Sequence, residues 1–236
     1  MSNSITIEAL PNVPTIVRGD DIGKIVLNTL KVAGFKIQEN DVLCVASKAV
    51  SVAEGREISL EDIEVSDAAE KIYGKIPRKD VRTIQVMINE TGKPDGSGLV
   101  VTGSHIAGWL PSGLRLTSAG VDKKDDTSVY LLPKDADASA KFIGHRILEA
   151  TNQNVGVVIT DSDGREDKRG ATQVAVGVYG IPPLRVTDTE ETICDMLAAS
   201  AALVMGQRGA GRPIALIRGV EYVFDDSVSI VDATTR

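Results

Sequence analysis

Cysteine is scarce in this chain: Cys44 and Cys194 are the only two among 236 residues, and they stand far apart. That excludes a disulfide framework and the paired spacing of a zinc site, and it makes both thiols expected core hydrophobes. Histidine is equally scarce. His105 sits in a Gly/Ser-rich stretch, and His145 lies on the helix face away from Ile143 and Ile147, so neither has the neighbours of a nucleophilic triad. Gly-x-Ser-x-Gly and His-Glu-x-x-His are also absent, which argues against hydrolase and zinc-peptidase chemistry. Aromatic residues make up 3% of the chain, leaving few platforms for base stacking and a core built from Val, Ile, Leu and Ala. With 26 Lys+Arg against 33 Asp+Glu the net charge is -7, the wrong sign for a nucleic-acid partner. No apolar run approaches the roughly 20 residues of a membrane span. The opening MSNSITIEAL has no basic segment followed by an apolar one, so the expectation is a cytoplasmic protein without a membrane partner.

What is present is a mixture of strand and helix patterns in one expected unit over residues 1–236, without repeats or a Pro/Gly/Ser linker. Ser4–Leu10 alternates as a strand, and Asp20 is placed to cap a helix carrying Ile22, Ile25, Val26 and Leu30 on one face. DVLCVAS (41–47) and VGVVIT (155–160) are continuous apolar runs, as buried strands require. Helices are expected over Ser66–Ile76, Arg78–Glu90, Asp137–Ala150 and Glu190–Met205. Further strands are expected at Leu99–Thr102, Leu114–Ser118, Val129–Leu132, Gln173–Val178 and Pro213–Arg218. The 108–113 stretch between the first two of these reads as a turn. The fold class is therefore mixed α/β.

Three constellations carry chemistry. In VVITDSDGRED (157–167) an apolar strand ends in Asp161, Asp163, Glu166 and Asp167. Carboxylates at a strand end are held rigidly, as hard cations such as Mg2+ or Mn2+ require, although an Asp-Gly turn with solvated charges has the same pattern. An EF-hand does not fit, because Arg165 and Thr172 occupy its loop positions 5 and 12. Asp122, Asp125 and Asp126 follow another apolar segment and read either as a second metal group or as a charged turn. The third is Met205-Gly206-Gln207-Arg208-Gly209-Ala210-Gly211-Arg212, whose glycine N–H groups and arginines suit phosphate. It lacks the Gly-Lys-Ser/Thr of a Walker loop, and a helix C-terminal glycine cap explains it equally well. Ser47-Lys48, after the DVLCVAS strand, either touches a phosphate or caps the strand.

Taken in order, VPTIVRGDD (13–21), DVLCVASKAVSVAEGR (41–56), SAGVD (118–122), LLPKDADASA (131–140), GVVITDSDGR (156–165) and MGQRGAGRPIALIRG (205–219) resemble the coenzyme F420-0:L-glutamate ligase family. The likeness is collinear over most of the chain. It implies an F420-0 gamma-glutamyl ligase-like mixed α/β fold, a homodimer, GTP as co-substrate and two divalent cations, Mg2+ or Mn2+, with K+ a further candidate. The family's catalytic, metal-binding aspartates match Asp122 and Asp161, and further metal positions match Ser162 and Gln207. Its nucleotide segments match Val13, Pro14, Thr15, Ile16, Ser47, Lys48, Asp125 and the loop Met205, Gly206, Gln207, Arg208, Gly209, Ala210, Gly211 and Arg212. The reaction implied is phosphoryl transfer to a substrate carboxylate, then attack of an amino-acid amine on the acyl phosphate.

Three positions and one connection depart from that pattern. Val52 replaces a lysine, Asp125 an asparagine near the nucleotide and Asp167 an aromatic, and the 180–190 connection is short. Trp109 and Arg115, in HIAGWLPSGLR (105–115), are placed as a lid or recognition element, or as a packed turn. Three functions follow: glutamate ligation to F420-0, amide ligation of another acid and amine, or nucleotide and metal binding without ligation.

Overall fold

The computed structural model describes residues 4–207 and 210–235. The chain begins β1 (Thr6–Ala9), α1 (Ile22–Ala33), β2 (Val42–Ala46), α2 (Ser47–Ala53), β3 (Glu57–Ser59), α3 (Asp67–Tyr73) and α4 (Val81–Thr91). It continues with β4 (Leu99–Thr102), β5 (His105–Trp109), β6 (Arg115–Thr117), β7 (Asp122–Lys123), β8 (Ser128–Tyr130) and α5 (Ala136–Thr151). The remainder is β9 (Gly156–Gly164), β10 (Ala171–Tyr179), β11 (Arg185–Val186), β12 (Glu190–Glu191), α6 (Ile193–Met205) and β13 (Ile214–Arg218). These elements form two compact units. The first comprises the segment ending at Gly55, Pro133–Ser162 and Thr172–Ala233; the second is mainly Arg56–Leu132 and Asp163–Ala171.

The first unit is organised on a five-stranded sheet in the order β1-β13-β2-β9-β10. Strand β13 runs antiparallel to both β1 and β2, whereas β2 and β9 are parallel, with Cys44 opposite Val158 and Ala46 opposite Thr160. Val42–Val45 and Val157–Ile159 are fully buried, which is why both strands read as unbroken apolar runs. Helix α6 packs on β1, β13 and β2, and α1 packs on α5. Helix α1 forms because Ile22, Val26 and Leu30 share a buried face. The Asp21 carboxylate accepts from the Lys24 amide at 3.0 Å, and Gly34 closes the helix at φ 73°. Close approach of α1 and α5 requires Gly23, where a Cβ would come within 2.6 Å of the Arg146 Cβ.

The second unit packs α3 and α4 with the antiparallel sheet β4-β5-β6 and the small sheet β3-β8-β7. Its core gathers Leu60, Ile72, Ile84, Met87, Ile88, Ile106, Val121 and Val129. Ser66 caps α3 through the Ala69 amide, and Asp80 caps α4 through the Arg82 amide.

The mixed α/β expectation holds, and five local readings are corrected. Asp21 caps α1, while Asp20 instead accepts from the Val17 amide at 2.8 Å. Ser47 does not end a strand; it opens α2, an element not expected from the sequence. His105–Trp109 is the central strand of a three-stranded sheet, so the 105–115 stretch is a packed hairpin whose turn lies beyond Trp109. Strand β9 runs on through Asp161–Gly164 where an Asp-Gly turn was one of the two readings. Glu190 and Glu191 pair with Val186 and Arg185, which delays α6 to Ile193.

Both cysteines are free and buried, and burial pushes each thiol up to about 12. We expect a thiol-specific disulfide reagent at neutral pH to label neither in the native protein and both in denaturant, since the thiolate is the reactive form. Native labelling of either would contradict the packing around it.

Candidate active site

Ser47 and Asp161 are the next residues after the last paired positions of β2 and β9, so the parallel register sets them side by side at the carboxyl end of β2, where β9 runs on. Open α/β sheets place ligands outside such ends. The Ser47 hydroxyl donates to the Asp161 carboxylate at 2.6 Å, and both residues are buried. A charge-assisted bond of that length fixes the carboxylate's orientation. On the following residue, the Ser162 hydroxyl donates to Gln207 Oε1 at 2.6 Å and accepts from Gln173 Nε2 at 3.0 Å. Helix α6 ends at the buried Met205, Gly206 turns the chain at φ 73°, and Gln207 is thereby delivered to Ser162.

The expected nucleotide segments of the first unit meet this strand end in part. The Ala46 amide donates to the Pro213 carbonyl at 2.8 Å, returning the 206–213 loop to the residue before Ser47. Ala210, Gly211 and Arg212 lie on that return; Arg208 and Gly209 lie outside the described residues. Lys48 is exposed in the first turn of α2. Val13–Ile16 form an irregular segment after β1, and the loop is tied to the far end of α2 by the Gly19 amide on the Ala53 carbonyl at 2.8 Å. A cavity of about 570 Å³ lies near that far end, among Val50, Glu54, Lys134, Asp135 and Phe142. With Asp20 also on its rim, acidic groups outnumber Lys134, the wrong sign for a triphosphate.

The remaining acidic residues belong to the second unit. Asp122 opens β7, half-buried and paired in register with Tyr130. Asp125 is exposed and accepts from the Thr127 amide at 2.9 Å and from the Thr127 and Ser128 hydroxyls at 3.0 Å. These bonds, the Thr127 amide foremost, hold its carboxyl down to about 2. Asp163 accepts from the Thr117 amide at 2.7 Å, Glu166 pairs with Arg115 at 2.6 Å, and Asp167 pairs with Arg165. The last three carboxylates are thus occupied with the backbone and arginines of their own unit.

Within the first unit, Asp161 offers a carboxylate bonded to Ser47, and Ser162 and Gln207, bonded to each other, offer a hydroxyl and an amide carbonyl. An all-oxygen set of that kind suits Mg2+ or Mn2+. Gln173 supports the fit, because its Oε1 is buried without a hydrogen-bond partner while its Nε2 holds Ser162. Such an orphaned oxygen costs about 1–3 kcal/mol unless a ligand satisfies it. Among the described residues no three His, Cys, Asp or Glu side chains gather into a cage. Gln173 was missed in the sequence, where its signal was one amide at the head of the apolar run QVAVGVY.

A family model described as F420-0:Gamma-glutamyl ligase matches residues 12–219. The coenzyme F420:L-glutamate ligase of Methanosarcina acetivorans is 31% identical, covering 94% of this chain and 89% of its own length. Its namesake in Methanothermobacter thermautotrophicus is 32% identical over 92% of this chain and 90% of its own. That of Methanopyrus kandleri is likewise 32% identical, over 92% and 88%.

The low Asp125 value sets a pH dependence. Because the folded value lies below the ordinary carboxylate range, the stabilisation is complete above that range and is lost as pH falls through about 2. Carboxyl NMR titration should find the Asp125 midpoint near 2; a midpoint at the usual aspartate value would show that its three bonds do not persist in solution.

Proposed function

Since the chain belongs to the F420-0:gamma-glutamyl ligase family, we propose that it joins L-glutamate to coenzyme F420-0 with GTP as co-substrate. What supports this reading is the Asp161 carboxylate that Ser47 holds where β2 ends, and on the next residue the Ser162–Gln207–Gln173 cluster with its orphaned Gln173 oxygen. In the first unit these residues would hold a divalent cation; in the second, Asp122 is the other acidic position that the family resemblance assigns to metal. The cation supplies charge neutralisation at the phosphates when bound.

The chain's own groups do the rest by position. The glycine N–H groups of the 206–211 loop, with Lys48, Arg208 and Arg212, hold phosphate oxygens, and Val13–Ile16 flank the nucleotide. Ser47 keeps Asp161 in one orientation throughout. An oxygen of the F420-0 carboxylate attacks the γ-phosphorus and GDP leaves, forming an acyl phosphate. The glutamate amine then attacks the acyl carbon, loses its proton and expels inorganic phosphate. Positioning and preorganised electrostatics suffice for both transfers, so the absence of a nucleophilic triad is consistent with the reaction. The reading includes a homodimer working in the cytoplasm with Mg2+ or Mn2+, and K+ as an added monovalent ion.

A second reading keeps the mechanism and changes the acid or the amine. It is favoured by the brief β11–β12 hairpin, Arg185–Glu191, where the family resemblance leads one to expect a longer acidic, glycine-containing segment.

With F420-0, L-glutamate, GTP and Mn2+, the proposal expects one phosphate released per amide formed. GTP with Mn2+ should also raise the melting temperature, as a ligand of the native state must. Asp161→Asn should lower turnover by about 100-fold or more. Melting shifts with GTP but no F420-0 product would favour the second reading; no shift with any nucleotide would remove ligation altogether. Val52→Lys should tighten GTP binding, and an unchanged Kd would mean that the basic groups present already fill that place.

A further inference from the structure

In the second unit the chain turns into Asp122 through three consecutive left-handed residues, Ser118 (φ 55°), Ala119 (φ 53°) and Gly120 (φ 71°). Only Gly120 adopts that region without a steric penalty, so a side-chain-bearing pair here persists only where its surroundings over-determine it. Several contacts do so. The Thr117 amide is held by Asp163 and its hydroxyl by Gly164 at 3.0 Å, which fixes the entry. Ala119 is buried facing Gly108, where an added Cβ would come within 2.7 Å of the Ala119 methyl. A Cβ at Gly120 would strike the Leu132 side chain. The exit is fixed by Val121, buried in the core with its amide on the Ser118 carbonyl at 3.0 Å.

Ser118 itself is held by a distant element. Lys79, half-buried just before α4, donates its ammonium to the Ser118 hydroxyl at 2.7 Å. Burial foremost, and Arg78, push this ammonium's pKa down, and the charge of Asp122 acts in the opposite direction. The Lys79 ammonium thus bonds the one hydroxyl whose residue sits in a conformation that local energetics disfavour.

We infer that Lys79 is a positioning residue of the ligation reaction: it locks Ser118 in the left-handed corner and thereby fixes where Asp122 is presented. This inference rests on the proposed role of Asp122, and the test separates the two. Lys79→Met should cut kcat/KM about 10- to 100-fold, the range for residues that orient a metal ligand. It should also speed hydrogen exchange at the Val121 amide. Lys79→Met/Ser118→Gly should restore both, because glycine adopts the corner without an anchor. A group acting on substrate directly would not be rescued by a glycine elsewhere.

Unchanged Val121 exchange in folded Lys79→Met overturns the inference. So does restored exchange without restored kcat/KM, which would move Lys79 to direct substrate contact. If Lys79→Met does not fold, Ser118→Ala removes the same bond with Lys79 intact and should show the same faster exchange and lower kcat/KM; wild-type values for both overturn the inference. An Asp122→Asn variant that ligates like the wild type marks a failure of the proposed function, while Val121 exchange still decides whether Lys79 holds the corner.

Discussion

The parallel pairing of β2 with β9 is the constraint on which the candidate active site depends. Two strands with buried cores and fixed register deliver Ser47 and Asp161 to the same level, and their hydrogen bond locks a carboxylate where β2 ends. A slip of one residue would turn every side chain to the opposite face and carry Asp161 away from Ser47. The apolar core of the first unit therefore sets the site's geometry as well as its stability. Helix α6 contributes through its end, where Gly206 turns the chain and Gln207 closes on Ser162.

The chemistry that follows makes few demands on reactive side chains. One carboxylate, neutral oxygens and a glycine-rich return loop are poor tools for attacking a substrate. They are suitable tools for holding a cation and phosphates in place. This accounts for a ligase-family chain without a poised histidine or thiolate: its cysteines are buried thiols and His145 stands against Tyr179 on the surface of α5. In the second unit the same economy appears as a strained corner leading to Asp122, with Lys79 bonded across it.

Much of this was legible in the sequence, for identifiable reasons. Continuous apolar runs marked β2, β9 and β13, and Ser66 marked the start of α3. The family likeness named Ser162 and Gln207, which the structure joins by a hydrogen bond, and Ser47 and Asp161, which it joins by another. Short or locally ambiguous elements were not legible. Helix α2 has seven residues, two of them valine, and no side-chain cap bond, so nothing in SKAVSVA separates it from the strand before it. Strand β5 contains Gly108 and gains its identity from partners on both sides. Asp161–Gly164 has turn composition, yet it continues as strand beside β10. The Ser118–Gly120 corner left no signal, because a left-handed serine and alanine are imposed by packing and by a lysine nearly forty residues earlier, as the 39-residue separation of that bond records.

The claim that a carboxylate is activated by phosphoryl transfer is tested most directly by oxygen transfer. With F420-0 carrying 18O in its reacting carboxylate, the account predicts one labelled oxygen in the phosphate released during ligation, read by its mass. Unlabelled phosphate formed alongside the glutamate amide would contradict it, because no acyl phosphate would then have joined the two substrates.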